Sequence, residues 1–397
     1  MEISGRRLTD NYKLLTEAAG SGIAVLAVVK ANAYGHGAAL CAPVLAGAGA
    51  EWLGVTDALE GTMVRHALAG VSPERQLQIL IMSGLLHKDA EAIVRHGLTP
   101  VVWEQQQMEA LAAAVLQHGG DTVALPVHLE IDTGMARQGV APGEGLHTLL
   151  HWLKRQPSLR LDGVMTHFAS AEIAGSAQTL AQRQRFEQAI AAVAAAGLRP
   201  AWVHAGNSST LDNQGVEENL LWLRNVAAGA GARPMVRAGI ALYGYCLPIT
   251  QIGAVDALVG SKVRPRLEPV MTWKTRVIGL RDVQCGDTVG YNAIFSAERT
   301  MRLALLPVGY ADGLRRELSA SNSQPGGWVM VKGQRAPIVG RVSMNLTVVD
   351  VTGVPGVALG CEAVVLGDGI TADDHARLAH TISYEIVCGV CAPLRLV

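Results

Sequence analysis

The chain lacks four things: paired cysteines, a basic block, a membrane-length apolar run and a dinucleotide fingerprint. Each absence removes a class of function. Its six cysteines are scattered, at Cys41, Cys246, Cys285, Cys361, Cys388 and Cys391, with no disulfide-framework spacing. Cys388 and Cys391 form a lone C-x-x-C without the second ligand pair of a zinc site, so two buried thiols are expected there and no metal. Formal net charge is −1, with no basic patch or acidic tail, which leaves no electrostatic case for nucleic acid or an anionic membrane. The most apolar stretch, 238–259, is broken by Gly239, Gly244, Pro248, Gln251 and Asp256 and is no membrane span. The first residues lead into an amphipathic polar segment and not an apolar signal core. The expectation is a reduced, cytoplasmic protein.

What remains is an apolar, alanine-rich chain of 397 residues with a mean hydropathy of +0.24, the profile of a well-buried α/β enzyme. Its length points to two domains. Eight short apolar runs can be picked out: Ile23–Val29, Trp52–Val55, Leu77–Met82, Leu98–Trp103, Val123–Ile131, Leu161–Phe168, Pro200–His204 and Pro234–Ile240. Between most of them lie helix-period segments such as 37–45, 105–116 and 179–196. That count predicts a parallel (β/α)8 barrel of the TIM type over 1–262. A doubly wound open sheet is the alternative, although no G-x-G-x-x-G follows the first run. From about residue 263 to 397 the texture becomes β-rich, with runs at 270–280, 301–306, 328–331, 337–342, 347–351 and 363–366, and one helical segment at 375–380. The linker 253–265 has no disordered composition.

Unusual polar residues gather where the barrel strands end, which is where parallel barrels keep their chemistry. Lys30 closes the first run and opens the loop Ala-Asn-Ala-Tyr-Gly-His-Gly. Desolvation at such a position favours a neutral amine able to form a Schiff base with a carbonyl cofactor, and Tyr34 lies within reach of a phosphate. A lysine that caps a strand and snorkels to solvent fits the spacing equally well. Glu130, Asp132, Thr133 and Arg137 follow the fifth run, and Thr166 and His167 the sixth. His204, Asn207 and Ser208 follow the seventh, and Arg237, Gly239 and Ile240 the eighth. Gly239 lets backbone N–H groups approach an anion, or simply makes a tight turn. In the second domain, Val-Gly-Tyr-Asn (289–292), Pro-Val-Gly-Tyr-Ala-Asp-Gly (307–313) and Gly-Arg-Val-Ser-Met-Asn (340–345) place glycine-flanked tyrosines in a chain with seven tyrosines in all.

Taken together, the segments at 27–37, 307–313, 340–345 and Thr-Ile-Ser-Tyr-Glu (381–385) resemble the signatures of the alanine racemases, over nearly the whole chain. These are fold-type III enzymes dependent on pyridoxal 5′-phosphate (PLP). The resemblance implies an isomerase that interconverts L- and D-alanine by a two-base mechanism, with D-alanine supplied to peptidoglycan synthesis. It further implies a homodimer with shared active sites. Lys30 would hold PLP and act as one base, and Tyr291 of the partner subunit as the other. Tyr34, Asn207, Ser208, Gly239, Ile240 and Tyr384 would belong to the cofactor site, most of them at its phosphate. Arg237 would face the pyridine nitrogen, and His167 would link Arg237 to Tyr291. Arg137 and Met344 would take the substrate carboxylate, and Tyr310 would border the substrate pocket. A permanently protonated arginine at the pyridine nitrogen makes the ring a weaker electron sink, which limits transamination.

Two departures from the family pattern stand out. Glu130 occupies the place of a lysine that many members carbamylate, in the run His-Leu-Glu-Ile-Asp-Thr-Gly-Met (128–135). The expectation is that Glu130 orients Arg137 directly and needs no carbon dioxide. The segment between Asn207 and Arg237, including 216–232, is longer than the family pattern leads one to expect, and reads as a lid, an added interface or a passive insertion. Asn345 stands where aspartate is common. Competing readings are a serine or broad-specificity racemase of the same fold, a non-catalytic PLP-binding protein and a related decarboxylase.

Overall fold

A computed structural model of the chain describes residues 1–71, 77–118, 124–213, 216–251 and 260–397. Most of the expected linker 253–265 therefore lies outside the described residues. The chain divides into two compact units. One comprises Leu8–Ala33 and Ala38–Glu268; the other comprises Met1–Arg7, Tyr34–Gly37 and Pro269–Val397.

The first unit is a closed barrel of eight strands: β1 (Ala24–Val28), β2 (Trp52–Val55), β3 (Gln78–Ile81), β4 (Thr99–Val102), β5 (Leu125–Glu130), β6 (Leu159–Met165), β7 (Trp202–His204) and β8 (Arg233–Ala238). Every neighbouring pair is parallel, and β8 closes on β1 with Arg237 opposite Leu26. Parallel strands covered on both faces read as continuous apolar runs, which is why all eight were visible in the sequence. Ala-Val-Leu-Ala-Val of β1 is almost wholly buried. The segment 216–232 is largely the helix Val216–Gly229, the crossover between β7 and β8. It buries Leu220, Trp222, Leu223 and Ala227. Trp222 packs on Phe168 and Phe186 and donates to Glu187 Oε1 at 2.5 Å. A helix with that buried face is part of the barrel wall and no lid.

In the second unit a six-stranded sheet runs in the order Gln334–Pro337, Trp328–Val331, Glu362–Leu366, Met271–Arg276, Glu2–Ile3, Arg395–Leu396. A three-stranded antiparallel sheet joins Gly279–Val283, Met301–Leu306 and Thr347–Asp350. A hairpin, Thr288–Val289 with Phe295–Ser296, packs Val289 into a small core with Val283, Ala297, Met301, Leu303 and Val339. Four expectations need correction. The run at 270–280 is two strands interrupted at 277–278, and the run at 337–342 is a strand only up to Pro337. The helix expected at 375–380 spans Ala372–Leu378 and is followed by a second, Ser383–Cys388. Cys388 and Cys391 are exposed and not the two buried thiols expected, because the C-x-x-C straddles the end of that second helix.

Candidate active site

Lys30 is half-buried at the end of β1. The four residues after it, Ala31, Asn32, Ala33 and Tyr34, all hold φ between 50° and 56°, a turn of left-handed helix without a glycine. Such a conformation costs roughly 1–2 kcal/mol per residue and persists only where surrounding contacts enforce it. The contacts are present: Asn32 N donates to Glu60 Oε1 at 3.1 Å, Ala33 N to Val29 O at 2.8 Å, and Ala38 N to Asn32 Oδ1 at 2.9 Å. The other oxygen of Glu60 takes the Thr56 amide at 2.8 Å. Strain maintained beside a strand-end amine makes this loop a candidate functional one.

Arg237, near the end of β8, is buried and anchored on three sides. Nη2 donates to Thr166 O at 2.7 Å and lies 3.2 Å from His167 Nδ1; Nη1 lies 3.2 Å from His204 Nδ1. Burial lowers the guanidinium to about 10, so it remains cationic at neutral pH. Burial, together with the charges of Arg237, Arg137 and Lys30, holds His167 down to about 3. Thr166 Oγ1 donates to Ile131 O and Gln182 ties Thr133 Oγ1 to His167 O, which fixes the ends of β5 and β6.

Ser208, after β7, accepts from the Gly239 amide at 3.0 Å and the Ala241 amide at 3.2 Å. Asn207 caps the short helix Ser208–Asp212 through Thr210 N, so its side-chain oxygen serves that cap. Glu130 is buried at the end of β5, and burial raises its carboxyl above the ordinary range, against the pull of Gln138, Arg237 and Arg137. Its bonded partner is Gln138, which also donates to Met82 O at 2.8 Å. Arg137 is exposed and makes no ion pair with Glu130 among the described residues. The predicted Glu130–Arg137 contact is replaced by Glu130–Gln138.

In the other unit, the Tyr34 and Tyr384 rings lie 6.0 Å apart. Burial raises the Tyr34 phenol, so it stays a hydrogen-bond donor. Tyr310 N donates to Ser343 O at 3.0 Å and Ala311 N to Met344 O at 2.9 Å. Gly309 permits that approach, since a side chain there would run into the Ser343 and Met344 carbonyls. Asp312 takes the Gly309 amide and Asn345 Nδ2, which binds the 307–313 and 340–345 segments together. Tyr291 sits in the turn of the 288–296 hairpin, 67% exposed; Tyr310 and Met344 are 44% and 57% exposed.

Gln138, Glu60, Gln182 and His128 were missed by sequence reasoning. The usable signal was a polar residue inside an otherwise apolar parallel strand, as His128 is in Leu-Pro-Val-His-Leu-Glu. The donor set of the barrel unit suits PLP: a half-buried strand-end amine, a fixed cation and backbone amides beside a serine.

Residues 3–247 match the family model "Alanine racemase, N-terminal domain", and residues 270–396 match "Alanine racemase, C-terminal domain". An alanine racemase of Symbiobacterium thermophilum is 37% identical over 92% of this chain and 88% of its own length. One from Halothermothrix orenii is 33% identical over 98% and 93%. The solved structure of alanine racemase from Streptomyces coelicolor A3(2) superposes with a TM-score of 0.85 at 33% identity, covering 100% of this chain and 96% of that one.

Proposed function

The chain belongs to the alanine racemase family, and from that premise we propose how its own residues divide the work. It is a PLP-dependent amino-acid racemase that interconverts L- and D-alanine. PLP, when bound, supplies an aldehyde for the amino group and a ring that spreads the negative charge left at the α-carbon.

Lys30 holds the cofactor and moves a proton at one face of the α-carbon; Tyr291 of the partner subunit moves it at the other. One base cannot serve both faces of a planar centre. The observation that carries this reading is a half-buried Lys30 leading into a strained left-handed turn, together with a strongly exposed Tyr291 beside Gly290 in the tip of its hairpin. Tyr291, Tyr310 and Met344 are large exposed side chains of a kind that subunit interfaces cover. A homodimer with shared sites gives them that role.

The remaining assignments follow the donors. Arg237 faces the pyridine nitrogen as a fixed cation. Tyr34, Ser208, Gly239, Ile240 and Tyr384 hold the phosphate, with Asn207 setting the helix that presents Ser208. Arg137, the Met344 amide and Tyr310 take the carboxylate and bound the small pocket. Glu130 supplies negative charge beside the arginines without a carbamate. No helix among the described residues is long and apolar enough to cross a membrane. We place the reaction in the cytoplasm, supplying D-alanine for peptidoglycan.

The test is a chiral assay of purified protein with added PLP on alanine, serine, lysine and arginine. Faster interconversion of alanine than of the other three is expected. Preferred turnover of serine would move the substrate assignment, and no racemisation of any would overturn the reading.

A further inference from the structure

Behind Arg237 runs a line of buried polar side chains that the assigned roles do not use. His204 Nδ1 faces Arg237 Nη1 at 3.2 Å, and His204 Nε2 meets His128 Nδ1 at 2.9 Å. His128 Nε2 stands 3.7 Å from Asp162 Oδ2, and Asp162 Oδ1 pairs with Arg160 Nη1 at 2.6 Å. His204 and His128 have no exposed surface, and Asp162 is buried.

The contact between the histidines crosses a strand. His128 lies on β5 and His204 on β7, with β6 between them. The residue of β6 at the crossing is Gly163, where a Cβ would lie 2.5 Å from the His128 ring. The β5–β6 register shifts between Val127 and His128, which re-aims the imidazole. Trp52 packs on the other side of that ring, centroids 5.2 Å apart. The backbone is therefore arranged around this histidine.

The line has one polarity. A guanidinium has no acceptor, so Arg237 donates to His204 Nδ1. His204 must then carry its proton on Nε2 and donate to His128 Nδ1. His128 in turn carries its proton on Nε2, aimed at the Asp162 carboxylate. Burial holds both histidines below their ordinary range, which keeps them neutral between the cation and the anion.

We propose that Asp162 and His128 are positioning residues for Arg237: they fix His204 in the tautomer that presents its Nδ1 lone pair to the guanidinium, and so hold that cation in the one orientation that favours racemisation. The proposal rests on the reading that Arg237 faces the pyridine nitrogen. Its consequence is reaction specificity. When the proton returns to the cofactor carbon and not to the α-carbon, alanine and the cofactor aldehyde exchange amino and oxo groups. Pyruvate and the cofactor amine are the balanced products, with no outside oxidant.

The first measurement is nitrogen-15 NMR of ring-labelled histidine in the wild-type holoenzyme. A proton on Nε2 of His204 and of His128 is expected; a proton on Nδ1 of His204 overturns the proposal. The second compares Asp162→Asn and Gly163→Ala with wild type by pyruvate released per racemisation. Each is expected to raise that ratio about tenfold with KM for alanine nearly unchanged, Asp162→Asn by removing the negative charge that faces His128 Nε2 across 3.7 Å and Gly163→Ala by displacing the His128 ring. A ratio within about twofold of wild type in folded Asp162→Asn overturns the proposal. If Arg237→Lys also leaves the ratio unchanged, the reading of Arg237 has failed; if it raises the ratio, only the role of the line has.

Discussion

Arg237 Nη2 lies 3.2 Å from His167 Nδ1, and the arginine must be the donor in that pair. His167 therefore carries its proton on Nε2, pointing away from the arginine. The cation both orients the ring and, with burial, prevents it from charging, since His167 is held down to about 3. A neutral imidazole with one fixed donor is a connector, not a titrating acid.

That distinction predicts a pH result. His167→Gln should lower kcat by about tenfold while leaving both limbs of the pH profile between about pH 5 and 9 in place. Steady-state kinetics across that range checks it. A lost or shifted limb would make His167 a titrating group.

Arg237→Lys removes the planar fork that serves Thr166 O, His167 and His204 at once. An ammonium has three donors on a single nitrogen and cannot span the separate positions of Nη1 and Nη2, so kcat/KM should fall by roughly 100-fold. The visible absorbance of bound PLP reports separately whether the cofactor is retained.

Glu130 is buried with a raised carboxyl, so it protonates at a higher pH than an exposed glutamate would. As pH falls through that value the site loses a negative charge beside Arg137 and Arg237. kcat/KM should decline there, and Glu130→Gln should lower it about tenfold at neutral pH and flatten the acid limb. Removing bicarbonate should leave the wild type unaffected.

His375 tests the second unit alone. Burial holds it down to about 4, with an unpartnered Nε2, so the folded state takes up its proton later than the unfolded chain does. Stability from this group is complete above about pH 6.5 and is lost as pH falls toward 4, a total on the order of 3 kcal/mol. His375→Gln should flatten the acid decline in urea midpoint over that interval. An unchanged slope contradicts the assignment.

Much of this was readable from the residues because burial on both faces leaves an apolar trace. All eight barrel strands showed as runs, and Lys30, His167, Ser208 and Arg237 stood out by falling where those runs stop. What stayed hidden depends on contacts distant in sequence. Glu2–Ile3 is a strand only because Met271, Thr272, Arg395 and Leu396 pair with it. The left-handed turn of 31–34 has no glycine to announce it. Gln138, eight residues beyond Glu130, carries no mark in the sequence of its bond to that carboxyl, and nothing in the run Leu161–Phe168 announces that Gly163 makes room for the His128 ring. The helix Ser383–Cys388 is too short to show a period.

The central claim is that Lys30 and Tyr291 of different subunits complete one site. Lys30→Ala and Tyr291→Phe, each inactive alone, should be co-expressed and the mixed dimers assayed. A head-to-tail arrangement gives every mixed dimer one intact site of its two, so the isolated mixed dimers should recover roughly half of wild-type activity. No recovery in demonstrably mixed dimers would contradict it.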